Sequence, residues 1–160
     1  MQRYVAVVGA GTASPAEVSA AEEVGALLAR AKAVLVCGGL SGVMEAACRG
    51  ARREGGLTVG ILPGSDRAAA NPHVAVAIAT GLGELRNGLV VRASDAVIAV
   101  GGEFGTLSEI ALALKLGKRV VGLSTWELPR RPDPILRARS AAEAVQLALQ
   151  GVAMAPDPGR

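Results

Sequence analysis

Residues 99–117 read AVGGEFGTLSEIALALKLG, an apolar run that passes through a glycine-rich turn into a leucine- and alanine-rich helix. Similar apolar runs recur along the chain and alternate with segments of helical periodicity. We predict strands at 4–8, 34–37, 57–61, 74–78, 96–100 and 120–123. We predict helices at 15–30, 82–93, 106–116 and 141–149, with another ending near Arg53. The helix over 82–93 carries Leu82, Leu85 and Leu89 on one stripe.

These strands are apolar throughout rather than alternating, which is typical of a parallel sheet covered on both faces. The predicted fold class is therefore α/β, a Rossmann-like, doubly wound and mainly parallel sheet with helices on both faces. A chain of 160 residues fits one domain. We place that domain at 1–150 and expect a flexible C-terminal tail at 151–160.

Composition narrows the classes of partner. The net charge is +3, but the arginines are dispersed and aromatic residues make up 2% of the chain, so a nucleic-acid partner is not expected. There is no signal peptide and no apolar stretch long enough to span a bilayer, which predicts a cytoplasmic protein without a membrane partner. Cys37, Cys48 and His73 form no metal-ligand pattern, so no metal site is expected.

Three glycine-rich turns, at 9–11, 38–42 and 101–105, follow predicted strands. In a parallel sheet these turns share the carboxyl edge, where ligands bind, and the free amides of a helix N-terminus attract phosphate. The alternative is that the glycines only permit tight turns. Taken together, the three turns favour phosphate or nucleotide binding, with candidate residues Gly101, Gly102, Gly105, Thr106, Gly38, Gly39, Gly11, Thr12 and Ser14.

The local sequence offers a purely structural explanation for two charged residues near the turn at 101–105, Glu109 and Arg86. Thr106-Leu107-Ser108-Glu109 is a capping-box pattern, in which Glu109 only closes the start of a helix. Arg86 lies in an ordinary helical stretch, where a solvated surface arginine is expected. Glu103 should repel a phosphate, so we expect its side chain to point away from the cradle, toward solvent or a neighbouring subunit.

The motifs Leu85-Arg86-Asn87 and Gly101–Glu109, at this separation, resemble those of the LOG (LONELY GUY) superfamily, whose members were formerly labelled lysine decarboxylase-like. The resemblance implies a phosphate cradle at the Gly101–Thr106 turn, with Asn87 nearby. It also implies catalytic roles for Arg86 and Glu109 in a phosphoribohydrolase, which cleaves the N-glycosidic bond of nucleoside 5′-monophosphates. Such an enzyme requires no cofactor.

The pairs Met44-Glu45 and Ser108-Glu109 look instead like the molybdenum-cofactor carrier branch of the same superfamily. This resemblance implies the alternative function, a non-catalytic carrier or sensor that binds a nucleotide or a molybdopterin-like ligand. A third and weaker resemblance is to single-stranded DNA-binding proteins. The resemblance to the LOG superfamily also implies a homo-oligomer, a dimer or a tetramer.

The chain does not look like a pyridoxal-dependent lysine decarboxylase. Its lysines, Lys32, Lys115 and Lys118, all occupy predicted helices or helix ends. A pyridoxal Schiff base would be expected at a strand end beside a phosphate turn.

Overall fold

In the part of the chain that the structure describes, seven parallel strands form one sheet. The computed structural model describes residues 1–151, so the predicted tail, apart from Gly151, lies outside the described residues. The strands are β1 (Tyr4–Gly9), β2 (Val34–Cys37), β3 (Thr58–Leu62), β4 (Val76–Ala79), β5 (Ala96–Val100), β6 (Arg119–Leu123) and β7 (Leu136–Arg137). Their order across the sheet is β4-β3-β2-β1-β5-β6-β7.

Helices cover both faces of the sheet. They are α1 (Pro15–Arg30), α2 (Val43–Arg53), α3 (Asn87–Arg92), α4 (Phe104–Lys115) and α5 (Ala141–Leu149), with short 3-10 helices over Arg67–Ala69 and Gly83–Arg86. One core is shared with α1, α2 and α5, and the other with α3 and α4. No helix within residues 1–151 is long and apolar enough to cross a membrane.

Strand β1 shows why its sequence is apolar at every position. Val5 and Val7 pack into the core on one face, whereas Ala6 and Val8 pack into the core on the other. Because successive side chains of a strand point to opposite faces, a strand buried on both sides needs apolar residues throughout. The predicted doubly wound α/β class is confirmed, and every pairing in the sheet is parallel.

The two helices on one face, α1 and α2, approach closely at glycines. A Cβ atom on Gly25 would lie 1.9 Å from the Ala47 carbonyl oxygen, and one on Gly50 would lie 1.9 Å from the Glu22 carbonyl oxygen. Any side chain at either position would therefore push the helices apart. Tight backbone contact between helices fixes how α2, and the turn before it, sits on the sheet.

Several element bounds differ from the sequence-based expectation. The predicted helix over 82–93 divides into the 3-10 helix and α3, and Gly83 adopts a φ of +57°. Leu82, Leu85 and Leu89 remain 47%, 79% and 40% exposed, so the leucine stripe does not enter the core. The strand β7 was not predicted, because two residues beside a Pro-rich loop carry no periodic pattern.

The point where ligands are expected lies between β1 and β5. These central strands pair side by side, with Gly9 opposite Val100, while the chain proceeds from β1 toward β2 and from β5 toward β6 on opposite sides. Open parallel sheets bind ligands at such a switch point, beyond the carboxyl ends of the strands. All three glycine-rich turns follow strands at this edge.

Candidate functional site

The turn after β5 presents unpartnered backbone amides. Gly101 and Gly102 adopt φ values of +54° and +113°, which glycine reaches without strain. In the part of the chain that the structure describes, the amides of residues 102–106 donate to no protein acceptor, as is usual for the first turn of a helix. Gly102, Gly105 and Thr106 therefore stand at an anion-attracting helix end, with Thr106 itself buried.

Gly101 differs from the residues after it because its amide already has a hydrogen-bond partner in the protein. Its amide donates to the Leu123 carbonyl at 2.9 Å, so this amide is engaged within the protein. A Cβ atom at Gly101 would lie 1.8 Å from Oε1 of Glu17. That carboxylate completes the capping box of α1, accepting from the Ser14 amide at 2.8 Å while the Ser14 hydroxyl accepts from the Glu17 amide. Ser14 thus caps a helix, and Gly101 makes room for the capping carboxylate.

The first two glycine turns contact each other. The Ser41 hydroxyl donates to the Gly11 carbonyl at 2.9 Å, and the Val43 amide donates to the Ala10 carbonyl at 3.1 Å. These bonds tie the turn after β1 to the N-terminus of α2. Thr12, which follows the first turn, is exposed.

Arg86 lies beneath the second turn rather than on the surface. Its Nη2 donates to the Gly38 carbonyl at 3.2 Å, its Nη1 donates to Oδ1 of Asn87, and only 8% of the residue is exposed. A Cβ on Gly38 would lie 2.5 Å from Nη2, so the glycine admits the guanidinium. The expectation of a solvated arginine is therefore wrong, because tertiary packing brings the turn over this side chain.

One nitrogen of this buried guanidinium has no partner. Among residues 1–151, Nε of Arg86 is the single buried side-chain nitrogen or oxygen without a hydrogen bond. Burial lowers the pKa of Arg86, and the charge of Glu109 partly opposes that change. Arginine nevertheless stays protonated in proteins, so the site holds a positive charge with unused donor capacity.

Asn87 connects Arg86 to the third turn. Its Nδ2 donates to the Ser108 hydroxyl at 3.4 Å, and that hydroxyl donates to the Gly105 carbonyl at 2.7 Å. A continuous set of contacts therefore runs from the second turn through Arg86 and Asn87 to the first turn of α4. Ser108 belongs to this set, although the sequence indicated it only as part of a motif resembling the molybdenum-cofactor carrier branch and not as a site residue.

Glu109 is buried inside α4, and the capping-box interpretation is wrong. The helix begins at Phe104 with Glu103 at the N-cap, two residues earlier than predicted, so Glu109 lies beyond the first turn. Only 6% of the residue is exposed. Burial raises the pKa of its carboxyl group to about 7, while the positive charge of Arg86 acts in the opposite direction.

The thiol of Cys37 accepts a hydrogen bond from the second glycine turn. The Gly39 amide donates to Sγ of Cys37 at 3.3 Å, and Sγ of Cys48 lies 3.5 Å from the same sulfur. The Asn71 amide donates to the Gly39 carbonyl at 2.9 Å. Both thiols are buried and free. Gly39, with a φ of +78°, is therefore held at both its amide and its carbonyl.

The segment after β6 fixes the third turn, which the sequence did not indicate. The Thr125 hydroxyl donates to the Gly101 carbonyl at 2.5 Å, and Nε1 of Trp126 donates to the Glu103 carbonyl at 3.1 Å. The rings of Phe104 and Trp126 pack against each other with centroids 5.6 Å apart and planes tilted by 34°. The available signal was that Thr125 and Trp126 also follow a strand at the carboxyl edge.

Comparison with known proteins agrees with this arrangement. The model of the SLOG cluster4 family matches residues 2–151. The chain belongs to this family. An uncharacterised protein of Archaeoglobus fulgidus is 48% identical over 119 residues, which are 74% of this chain and 78% of that protein.

The chain is also similar to solved structures of molybdenum cofactor proteins. A molybdenum cofactor binding protein from Rippkaea orientalis is 38% identical, with a TM-score of 0.86 and coverage of 92% of this chain and 95% of that one. A molybdenum cofactor carrier protein from Chlamydomonas reinhardtii is 33% identical, with a TM-score of 0.82 and coverage of 92% and 98%. The predicted resemblance to the LOG and molybdenum-cofactor carrier superfamily is therefore confirmed.

Proposed function

We propose that this protein is a carrier or sensor for a phosphate-bearing small molecule of the molybdopterin type, bound at the carboxyl edge of the sheet. The observation that carries the proposal is the buried guanidinium of Arg86, whose Nε lacks a partner beside the glycine turns. Similarity to proteins described as binding or carrying the molybdenum cofactor supports the same ligand class.

The residues present suit the anionic end of such a ligand. Molybdopterin combines a pterin-derived ring system with a terminal phosphate, and the molybdenum it holds would be cargo. A guanidinium and free helix amides are the donors that phosphate prefers. We assign phosphate contacts to Arg86 and to the amides around Gly105, with Asn87 as a positioning residue between them.

Glu109 sets how strongly this site attracts an anion. Because the pKa of its carboxyl group is about 7, the group is partly protonated at neutral pH. When it is protonated, the positive charge of Arg86 is uncompensated and anion binding is strongest. When it is ionised, the two charges oppose each other, and binding weakens.

Anaerobic incubation with molybdenum cofactor released from a purified molybdoenzyme tests the carrier function. After gel filtration, molybdenum measured by mass spectrometry should co-elute with the wild-type protein. Arg86→Met should reduce that molybdenum at least about tenfold, because a buried charge-assisted contact is lost. Arg92→Met is the matched control, since Arg92 is an exposed residue at the end of α3. Equal loading of both variants contradicts the assignment.

The second candidate function is hydrolysis of nucleoside 5′-monophosphates. The observation in its favour is a buried carboxyl group, Glu109, with a pKa of about 7 beside Arg86. Breaking the bond between base and ribose builds positive charge on the sugar, which a carboxylate stabilises while water adds to the ribose and the base leaves with a proton. Incubation with AMP should then release ribose 5-phosphate, and Glu109→Gln should abolish the release. Binding without release assigns the site to the carrier.

We also propose that the protein forms a homo-oligomer through three exposed leucines before and within α3. Leu82, Leu85 and Leu89 are exposed, although their spacing in the sequence is that of a buried helix face. Packing a second copy of the chain against these leucines would remove their apolar surface from water. Sedimentation velocity should show a multimer for the wild-type protein and a smaller species for Leu85→Asp. A monomeric wild type at micromolar concentration contradicts this proposal.

A further inference from the structure

Two chemically different groups lie at the start of α4. Gly105 and Ser108 approach Asn87, which accepts a hydrogen bond from the guanidinium of Arg86. The ring of Phe104, the first residue of the helix, packs against the ring of Trp126 with the two planes tilted by 34°. A phosphate bound to the free amides of this turn would therefore lie near both a cation and an aromatic surface.

The aromatic pair combines one exposed ring with one that is held by a hydrogen bond. Phe104 is 79% exposed, although burying a phenylalanine side chain ordinarily stabilises a fold by about 2 kcal/mol. Trp126 is fixed by the hydrogen bond from its Nε1 to the Glu103 carbonyl, and the neighbouring Thr125 is bonded to Gly101. Phe104 and Trp126 are the only phenylalanine and tryptophan in the chain. An exposed Phe104 ring, backed by the half-buried ring of Trp126 and placed beside an anion site, is suited to stacking a flat ring.

Glu103 adds a polar group at the same place. Its carboxylate is exposed, and although the residue occupies the N-cap position of α4, its side chain makes no capping bond. A carboxylate only accepts hydrogen bonds, so it suits a ring edge that carries N–H and NH₂ donors. Pterins and guanine present such an edge on their 2-amino-4-oxo ring, whereas adenine presents a different pattern.

We propose that Phe104, backed by Trp126, stacks the heteroaromatic ring of the ligand, and that Glu103 selects a 2-amino-4-oxo ring. This inference rests on the proposed phosphate site and specifies the other end of the molecule that occupies it. The ligand then lies across the start of α4, with its phosphate toward Arg86 and its ring donors toward Glu103. The acidic residue in the glycine turn thereby serves ring recognition, while the phosphate meets only donors.

Calorimetric titration with three probes separates the two ends of the ligand. Neopterin monophosphate carries both the ring and a phosphate, AMP carries a ring with a different hydrogen-bonding edge, and ribose 5-phosphate carries no aromatic ring. The wild-type protein should bind neopterin monophosphate more tightly than AMP, and AMP more tightly than ribose 5-phosphate. Phe104→Leu should weaken binding of neopterin monophosphate about tenfold and leave ribose 5-phosphate within about twofold.

Two variants complete the comparison. Glu103→Gln should weaken the binding of neopterin monophosphate about five- to tenfold, because a charge-assisted acceptor is lost. The affinity for AMP should change little. Tyr4→Leu is the matched control, since Tyr4 is an aromatic residue 40% exposed at the first position of β1, on the opposite edge of the sheet. This control should bind all three probes as the wild type does.

Each contrary outcome has a distinct meaning. Absence of binding of every probe to the wild type overturns the phosphate site itself. Equal affinity for neopterin monophosphate and ribose 5-phosphate overturns the ring inference and leaves the phosphate site intact. A shift of Phe104→Leu to a smaller species in sedimentation velocity, without a change in ligand affinity, shows that the aromatic pair contacts a second copy of the chain and also overturns the inference.

Discussion

Replacing Glu109 by glutamine should stabilise the protein, and the gain should depend on pH. The buried carboxyl group has a pKa of about 7, compared with an ordinary value of 4.5. Between these two values the folded protein binds more protons than the unfolded chain, so the wild type loses stability as the pH rises through this window. Glutamine has a similar shape and no charge, so the variant does not incur this loss.

The magnitude follows from the two pKa values. Each pKa unit corresponds to about 1.4 kcal/mol. A rise of the Glu109 pKa from 4.5 to about 7 therefore lowers the free energy of unfolding of the wild type by about 3 kcal/mol once the pH exceeds 7. At pH 5 the solution has passed only slightly above the lower pKa value. The free energy of unfolding of the wild type is then reduced by about 1 kcal/mol. The free energy of unfolding of Glu109→Gln should therefore exceed that of the wild type by about 1 kcal/mol at pH 5 and by about 3 kcal/mol at pH 8.5.

Urea unfolding of both proteins at these two pH values measures the difference, because other titrating groups cancel between the pair. Glu103→Gln provides the control, since Glu103 is exposed at the start of the same helix, and it should change the free energy of unfolding by less than about 0.5 kcal/mol at either pH. A Glu109→Gln protein less stable than the wild type at pH 8.5, or a difference independent of pH, would show that Arg86 stabilises the carboxylate more than burial destabilises it. That result would refute the reasoning.

Three further predictions test the site and its support. The Kd for sulfate, an anion that does not titrate in this range, should increase as the pH rises through about 7 in the wild type and stay level in Glu109→Gln; parallel pH profiles in titration calorimetry would contradict the coupling to Arg86. Gly50→Ala should destabilise the fold by about 3 kcal/mol in urea unfolding, because its Cβ would lie 1.9 Å from the Glu22 carbonyl oxygen, whereas Gly88→Ala, with its nearest contact at 3.6 Å, should be neutral or stabilising. Trp126→Phe should lower the free energy of unfolding by about 1 kcal/mol through loss of its bond to the Glu103 carbonyl, and unchanged stability would argue that the bond does not hold the turn.

Local sequence patterns were sufficient for every strand except β7 and for the edge that carries the site. The apolar strands and the glycines after them predicted a parallel sheet with its turns at one edge, because both signals depend on neighbouring residues alone. The Ser14–Glu17 capping box, with both of its hydrogen bonds present, likewise involves only residues close together in the chain. The start of α4 was misplaced by two residues, since Thr106-Leu107-Ser108-Glu109 satisfies the same local pattern without being the helix start.

The sequence by itself therefore determined the α/β class, the position of the glycine turns and the family resemblance carried by their motifs. Tertiary structure decided which polar groups are buried. Arg86 donates to Gly38, a residue 48 positions away in the chain, and this contact distinguishes a buried cation from a surface arginine. Trp126 reaches the Glu103 carbonyl across 23 positions. Burial and electrostatics depend on neighbours that the order of strands in the sheet brings together, and no local pattern in the chain contains that order.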